Sequence, residues 1–292
     1  RRSDIVEQRC PRYHLSHRPA GSIEISTAQT APVTAPMNAS MNASMIGPMI
    51  VLFTDFGIGS AYMGQMRAVL HQGAPGSPVI DLFADAPTFD PRAAAYLLAA
   101  HAPEFPPGTV FVCVVDPGVG GDRPAMVLRA GGHVFVGPGN GLFEIIARRA
   151  DSFEAQAITW RPDRLSPSFH GRDLFAPVAA ALARGGDAAM TATTAIADNA
   201  WRQPDWPDDL AQVIYLDHFG NAITGLRAEK LSANQQIQVN GDSLSRARTF
   251  SEVPMHQAFW YENANGLVEI AVNQGNAARD LGLSLGHSVR LI

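Results

Sequence analysis

Short apolar runs alternate with amphipathic segments through the first two thirds of the chain. Three of the runs are typical of buried strands: residues 49–53, 78–83 and 109–115. Ser60 and Asp90 each precede a helical pattern, and Pro91 stands at the first helical position, where its missing N–H breaks no hydrogen bond. Alternating strands and helices predict an α/β fold with a mostly parallel central sheet.

The same alternation continues to residue 184. The expected elements are strands over residues 125–129 and 133–137 and helices over residues 140–149 and 173–184. Asn140 is expected to cap the first of these helices. Pro177 must kink the second helix or shift its start, because proline cannot donate a helical hydrogen bond. Together these segments predict an N-terminal α/β domain over residues 49–200.

The pattern changes after about residue 187. A segment rich in Trp, Pro and Asp over residues 201–210 is typical of an ordered linker. The elements expected beyond it are strands over residues 212–216, 222–226, 235–239, 267–272 and 288–292, and a short helix over residues 277–281. Short strands in this number predict a β-rich C-terminal domain over residues 211–292.

Composition narrows the class of protein. The chain has 292 residues, 46% of them hydrophobic and 17% charged, which is typical of a globular protein. The net charge is −5 and there is no long basic run, so nucleic acid is not expected as a partner. No stretch approaches 18 apolar residues, so no membrane partner is expected. The two cysteines, Cys10 and Cys113, form no disulfide framework, and a cytoplasmic location fits them.

The first 48 residues differ from the rest of the chain. They are rich in Pro, Ala, Ser and Thr, contain a tandem MNAS repeat, and lack the apolar core of a signal peptide. We expect residues 1–48 to be a disordered extension.

Polar residues beside glycine follow several of the apolar segments. Asp55 follows the first strand, Asp116 the third, His170 lies in SFHGRD and Asp217 in YLDHFGN. Functional side chains gather at strand and turn ends, so this pattern favours an enzyme. Arg123 returns seven residues after Asp116, beyond a glycine-rich turn.

Each of these residues also has a structural interpretation. Asp55 can start a turn or bind the two hydroxyls of a ribose. Asp116 and Arg123 can close the turn as an ion pair, or hold an ionised carboxylate that orients a water molecule. His170 can be a buried structural histidine or part of the same site.

The segment 217–221 combines an acid, an aromatic ring, a glycine and an amide. It can be a hairpin turn, and it can also be a binding loop. In that loop Phe219 would stack on a base, Asn221 would read the base edge, and Asp217 would meet an ammonium group. The motifs HExxH and paired CxxC are absent from the sequence, so neither a metal nor another cofactor is expected.

Five motifs in order resemble the S-adenosyl-L-methionine (SAM) hydroxide adenosyltransferase family, which is related to the fluorinase and chlorinase enzymes. They are TDFG (54–57), VVDPGVG (114–120) with Arg123, FHGRD (169–173), IYLDHFGN (214–221) and EIAVN (269–273). The resemblance covers residues 49–292. It implies an N-terminal α/β domain, a C-terminal β-barrel domain, and a homotrimer with each site between two subunits.

The resemblance also assigns roles to residues. It implies hydrolysis of SAM to adenosine and L-methionine, with Asp116, Arg123 and His170 as the catalytic set. Its substrate-binding positions are Asp55 for the ribose, Asp217 for the methionine amine, Phe219 and Asn221 for the adenine, and Val272 and Asn273 at the adenine edge.

Two alternatives stay open from the sequence. A SAM-dependent, chlorinase-like halogenase is one. Gly171 stands where the fluorinase has a serine, and the fluorinase motif lacks a histidine at position 170, but the chlorinase also has glycine at position 171, so this glycine excludes only the fluorinase. A non-catalytic protein that binds SAM or adenosine is the other.

Overall fold

The computed structural model describes residues 47–186 and 188–292. All but the last two residues of the extension expected over residues 1–48 therefore lie outside the described residues.

Among the described residues, seven strands form the N-terminal sheet. They are β1 Ile50–Thr54, β2 Val79–Phe83, β3 Val110–Val114, β4 Ala125–Ala130, β5 His133–Pro138, β6 Phe153–Ile158 and β7 Thr193–Ala195. Their order is β2-β1-β3-β5-β4-β6-β7. The first four in this order pair in parallel, whereas β4 is antiparallel to both β5 and β6, and β7 to β6. Five of the seven strands thus run in one direction, which confirms the mostly parallel sheet.

Helices cover both faces of this sheet. They are α1 Ala61–Gly73, α2 Pro91–His101, α3 Glu144–Arg149, a π-helix Gly171–Phe175 and α4 Ala176–Ala183. Alternate residues of each buried strand point to opposite faces. Val51 and Phe53 therefore pack with α2 and α3, and Ile50 and Leu52 pack with α1 and α4. The predicted caps are confirmed: Ser60 Oγ accepts from the Tyr62 amide at 3.2 Å, and Asp90 Oδ1 from the Ala93 amide at 2.9 Å.

Two helix predictions were wrong in detail. The helix expected from Asn140 begins only at Glu144, because Asn140 instead uses both ends of its amide. It accepts from the Leu142 amide at 3.3 Å and donates to the Val115 carbonyl at 2.9 Å. The helix expected over residues 173–184 is divided, and Pro177 lies in the first turn of α4, where its missing N–H is tolerated.

Strands β6 and β7 were not predicted. Only one of the six residues of β6 is buried, and its Ala, Glu and Gln residues give a weak strand signal. Pairing with β4 on one side and β7 on the other makes it a strand.

The C-terminal part is antiparallel. Within the described residues it contains β8 Leu210–Leu216, β9 Ala222–Arg227, β10 Ile237–Val239, β11 Asp242–Leu244, β12 Ala258–Glu262, β13 Leu267–Val272, α5 Ala277–Asp280 and β14 Arg290–Leu291. One sheet has the order β12-β13-β9-β8 and the other β11-β10-β14. The β-rich domain is confirmed, and β11 and β12 are additions to the predicted strands. Isolated bridges join Gln212 to Ser288 and Arg246 to Trp260, and closure into a barrel stays a prediction.

The two parts of the chain are joined by buried contacts. Tyr215 at the end of β8 donates its hydroxyl to Asp85 at 3.0 Å and packs edge-on against Phe83. The side chain of Glu144 is fully buried and forms ion pairs with Arg148 and Arg202, both at 2.7 Å. Arg202 thereby ties the segment 201–210 to α3, whereas the linker and the domain boundaries stay a prediction.

Across residues 47–186 and 188–292, no helix has the length and apolar character needed to cross a membrane.

Candidate active site

The first group of predicted site residues meets at one edge of the N-terminal sheet. Asp55 directly follows β1, and Asp116 lies two residues beyond β3. Because β1 and β3 pair in parallel, with Thr54 opposite Val114, their carboxyl ends reach the same edge. The register therefore brings the two carboxylates into one cleft, although they are far apart in the sequence.

Asp116 and Arg123 form a bidentate ion pair. Arg123 Nε lies 3.1 Å from Oδ1 and 3.0 Å from Oδ2 of Asp116, and Arg123 Nη2 also donates to Oδ2. The side chains are only 3% and 11% exposed, so solvent screens the pair weakly. The turn between them needs Gly120, which has a φ of +81° and whose added Cβ would lie 2.6 Å from the Pro167 carbonyl.

His170 completes this group immediately before the π-helix. Its Nδ1 lies 2.9 Å from Nη2 of Arg123. A guanidinium has only donors, so Nδ1 must accept and the ring proton sits on Nε2. Burial foremost, and then the charge of Arg123, lower the pKa of His170. The imidazole is therefore held neutral in a fixed tautomer, within a chain of contacts Asp116–Arg123–His170.

Asp55 faces the same cleft. Its Oδ2 accepts from the Phe89 amide at 3.1 Å. Burial raises the pKa of Asp55, and the nearby charge of Asp116 adds to this. Phe89 has a φ of +58°, a conformation that is strained for a residue with a bulky side chain, and it is 75% exposed.

The cleft at this edge, called here the N-terminal cleft, has a volume of about 220 Å³. Asp55, Asp116, His170 and Gly171 line it together with residues to which the sequence assigned no role: Phe56, Tyr62, Thr88, Phe89, Val114, Val119, Ser168 and Phe169. The rings of Phe56, Tyr62 and Phe169 pack together with centroids 5.0–6.0 Å apart. Phe56 and Phe169 adjoin Asp55 and His170, so proximity to the motifs was a usable signal. No signal in the sequence indicated that Phe89 lines the cleft.

The second group of predicted residues lies on the β8–β9 hairpin. Asp217 Oδ1 accepts from the backbone amide of Asn221 at 2.8 Å, and its Oδ2 accepts from the side-chain amide at 2.9 Å. Gly220 has a φ of +84°, which the tight turn requires. Phe219 extends from this turn and is 72% exposed. The segment is thus both a hairpin turn and a surface with functional groups.

These residues line a second cleft, called here the C-terminal cleft, of about 380 Å³. Its walls are Asp217, Phe219, Asn221, Phe250, Tyr261, Val272, Gln274 and Gly275. Val272 lines this cleft, and its contact with the adenine edge stays a prediction. Asn273 instead turns to the preceding loop, where its Nδ2 donates to the Val253 carbonyl at 2.6 Å.

The two clefts have no lining residue in common. Within one chain the structure therefore assembles Asp55, Asp116 and His170 in one place, and Asp217, Phe219 and Asn221 in another. Among the described residues, no three His, Cys, Asp or Glu side chains are grouped so as to hold a metal ion.

Comparison with protein families agrees with the division of the chain into an N-terminal and a C-terminal part, each with its own cleft. A model described as the SAM hydroxide adenosyltransferase N-terminal domain matches residues 50–192, and one described as the C-terminal domain of the same family matches residues 211–290. The chain belongs to the SAM hydroxide adenosyltransferase family. The resemblance found in the five sequence motifs is thereby confirmed.

Curated relatives match over most of their length. A protein of Thermus thermophilus named (R)-S-adenosyl-L-methionine hydrolase is 38% identical over 259 residues, which cover 83% of this chain and 99% of the relative. One of the same name from Salinispora arenicola is 37% identical and covers 84% and 97%. The fluorinase of Nocardia brasiliensis is more distant, at 22% identity over 84% of this chain and 96% of its own.

Two solved structures share the fold. An uncharacterised conserved protein of Thermotoga maritima matches with a TM-score of 0.75 at 28% identity, covering 84% of this chain and all of its own. A conserved hypothetical protein of Thermus thermophilus matches with a TM-score of 0.66 at 35% identity, with the same coverage.

Proposed function

We propose that this protein hydrolyses SAM to adenosine and L-methionine by direct attack of water on C5′ of the ribose. The observation that carries the proposal is the buried Asp116–Arg123–His170 network beside Asp55 in the N-terminal cleft. The family membership and the names of the curated relatives support the same reaction.

The reaction does not need a general acid to protonate the leaving group. A bond forms between the water oxygen and C5′, the C5′–S bond breaks, and the electron pair returns to sulfur as the neutral thioether of methionine. The sulfonium leaves without protonation, so the enzyme has to position one water molecule and take its proton. Positioning alone can lower a barrier by several kcal/mol.

The network suits this task. Oδ1 of Asp116 accepts one hydrogen bond from Arg123 and keeps a lone pair for a water molecule. We assign Asp116 to hold that water and take its proton. Arg123 stabilises the developing hydroxide, and neutral His170, whose Nδ1 lone pair accepts from Arg123, orients the group through Arg123.

Water is favoured over a halide by the same residues. Asp116, Arg123 and His170 are all present, and this set carries the argument for water. Gly171 argues against the fluorinase alone, because the chlorinase also has glycine at this position. A Cβ there would lie 3.2 Å from Met66 Sδ and 3.3 Å from the Phe56 ring. A serine at this position would require its neighbours to move.

Mass spectrometry of the products in ¹⁸O-water tests the reaction. Both sulfonium epimers of SAM are supplied, with and without chloride, in the presence of EDTA. We expect ¹⁸O-labelled adenosine without chloride, undiminished by the chelator because no metal or other cofactor takes part, and faster turnover of the R epimer named in the relatives. Formation of 5′-chloroadenosine instead would identify a halogenase, and a bound but uncleaved ligand would identify a binding protein.

We further propose a homotrimer in which the N-terminal cleft of one subunit meets the C-terminal cleft of the next. The separation of the two clefts supports it, because a complete site needs both groups of residues. So does the exposure of large apolar side chains at the clefts, with Phe89 75% and Phe219 72% exposed. A cytoplasmic location belongs to the same proposal.

Mixing two inactive variants tests the shared site. We expect Asp116→Asn and Phe219→Ala each to lose most activity as pure proteins. Co-refolded in equal amounts, they should recover about a quarter of the wild-type rate, because one site in four then combines two intact halves. Mixing without refolding is the control. Recovery that is absent after co-refolding, while both variants assemble normally, would contradict a site between subunits.

Substitution of Asp55 tests the ribose contact. Asp55→Ala should raise KM about tenfold or more and change kcat less, because a lost carboxylate removes two charge-assisted hydrogen bonds to the sugar hydroxyls. Steady-state kinetics on SAM gives both constants. Unchanged values of KM and kcat would exclude the ribose role.

A further inference from the structure

A buried carboxylate lies beneath the C-terminal cleft, and the sequence motifs gave it no role. Glu269 on β13 is 5% exposed. It lies directly across from Tyr261 on β12 and from Ile223 on β9, which places it at the centre of the four-stranded sheet. An ionisable residue in this position needs partners, because its burial is otherwise costly.

One of the hydrogen-bond partners of Glu269 lines the C-terminal cleft. The Tyr261 hydroxyl donates to Oε1 of Glu269, and Asn263 Nδ2 donates to Oε2 at 3.0 Å. Burial foremost raises the pKa of Glu269, and the charge of Asp217 adds to this, whereas hydrogen bonds from Tyr261, Asn263 and the Asn221 amide lower it. Glu269 thus bonds directly to Tyr261, which lines the cleft. It also lies beside Asn221, because Ile223 is opposite Glu269 and Asn221, two residues earlier, projects from the same face of the sheet.

Asn221 therefore lies between two carboxyl groups. Its Nδ2 carries two protons, of which one is donated to Asp217 Oδ2 at 2.9 Å, and Glu269 is its neighbour on the adjacent strand of the same sheet face. An amide rotated by 180° would turn its oxygen toward both carboxyl groups, which would be repulsive. Among the described residues, no donor is recorded within hydrogen-bond distance of the Asn221 side-chain oxygen, so that oxygen remains available to a ligand.

We propose that Glu269 and Tyr261 are positioning residues that fix the Asn221 amide with its oxygen available to the amino group of adenine. The inference rests on the proposed function, because it takes adenine as the base. A fixed acceptor at this point discriminates between adenine, which offers an N–H donor there, and hypoxanthine, which offers a carbonyl. A site built to hydrogen-bond one group rejects an analogue that leaves the buried polar atom unpaired.

Calorimetric titration with adenosine and with inosine tests the proposal without requiring turnover. Wild-type protein should bind adenosine about tenfold or more tightly than inosine. Glu269→Gln should reduce this ratio severalfold, because a glutamine amide can donate to Asn221 and allow the rotated form. Tyr261→Phe keeps the ring and removes the hydroxyl, and it should reduce the ratio in the same direction. The double variant should lose no more than the larger of the two single effects, since both act through one network.

Glu262→Gln is the matched control. Glu262 is the next residue along β12 and forms an exposed ion pair with Arg246 at 2.8 Å, so its substitution should leave the ratio unchanged. An adenosine-to-inosine ratio that stays at the wild-type value in folded Glu269→Gln and Tyr261→Phe would overturn the proposal. Failure of wild-type protein to release adenosine from SAM would instead overturn the proposed reaction, while the binding ratio still reports on Glu269.

Discussion

Asp116→Asn lowers kcat for adenosine formation by about 10²–10⁴-fold, the range expected for loss of a general base. The substitution keeps the size of the side chain but removes its charge. It also replaces one acceptor oxygen by a donor that faces the guanidinium of Arg123, so the network that fixes His170 is broken as well. Steady-state kinetics on SAM measures the effect, with KM expected to change far less than kcat.

The control is another aspartate paired with an arginine. Asp81 binds Arg67 in the same bidentate manner on the surface, where the side chains are 27% and 46% exposed. Asp81→Asn should therefore leave kcat near the wild-type value. A kcat within a few-fold of wild type for Asp116→Asn would remove Asp116 from the chemical step and leave it a structural partner of Arg123.

Glu144→Gln lowers the free energy of unfolding by about 3 kcal/mol at pH 7. Burial opposes ionisation of Glu144, but hydrogen bonds from Arg202, the Gln203 amide and Arg148 outweigh it and lower the pKa from 4.5 to about 2. Each pKa unit corresponds to about 1.4 kcal/mol, which gives the expected loss. Removing the charge also leaves two partly buried guanidinium groups without their partner.

The contribution of Glu144 to the free energy of unfolding falls as the pH falls. Because the folded-state pKa of Glu144 is depressed, its contribution is present above the unfolded-state value of 4.5 and is lost as the pH falls toward 2. Urea denaturation of wild type and variant should give curves that converge over this window. Glu104→Gln, at an exposed position, should change stability by less than about 0.5 kcal/mol. A constant difference between wild type and Glu144→Gln from pH 7 to pH 3 would contradict the assignment.

Much of the N-terminal architecture follows from local sequence. Central strands such as β1 and β3 are continuous apolar runs because both of their faces are buried. Ser60 and Asp90 cap their helices through contacts that span two or three residues. These signals are short in range, so they are legible without knowledge of the fold. Where the signal was weak, as in partly exposed β6, only pairing with β4 and β7 decided the structure.

The residues of the candidate site also fall into two groups, those identifiable from local sequence and those that only the fold reveals. Asp55, Asp116 and His170 were identifiable because polar residues beside glycine at strand and turn ends stand out against apolar runs, and the pairing of β1 with β3 then brings Asp55 and Asp116 together. The positions of Phe89 at the cleft and of Glu269 beside Asn221 were not identifiable from the sequence, although Glu269 begins the motif EIAVN. The strained φ of Phe89 and the partners of Glu269 arise from loop geometry and strand register.

The sequence by itself determined the α/β and β-rich parts and the family, and it supplied the candidate site residues, because each depends on residue types at fixed local spacing. Only the tertiary structure decided that Arg123 donates to both Asp116 and His170, and that the predicted residues occupy two separate clefts. The contact between Arg123 and His170 joins side chains 47 positions apart. The register of the sheets and the course of the loops set those distances, and neither is encoded in a short stretch of chain.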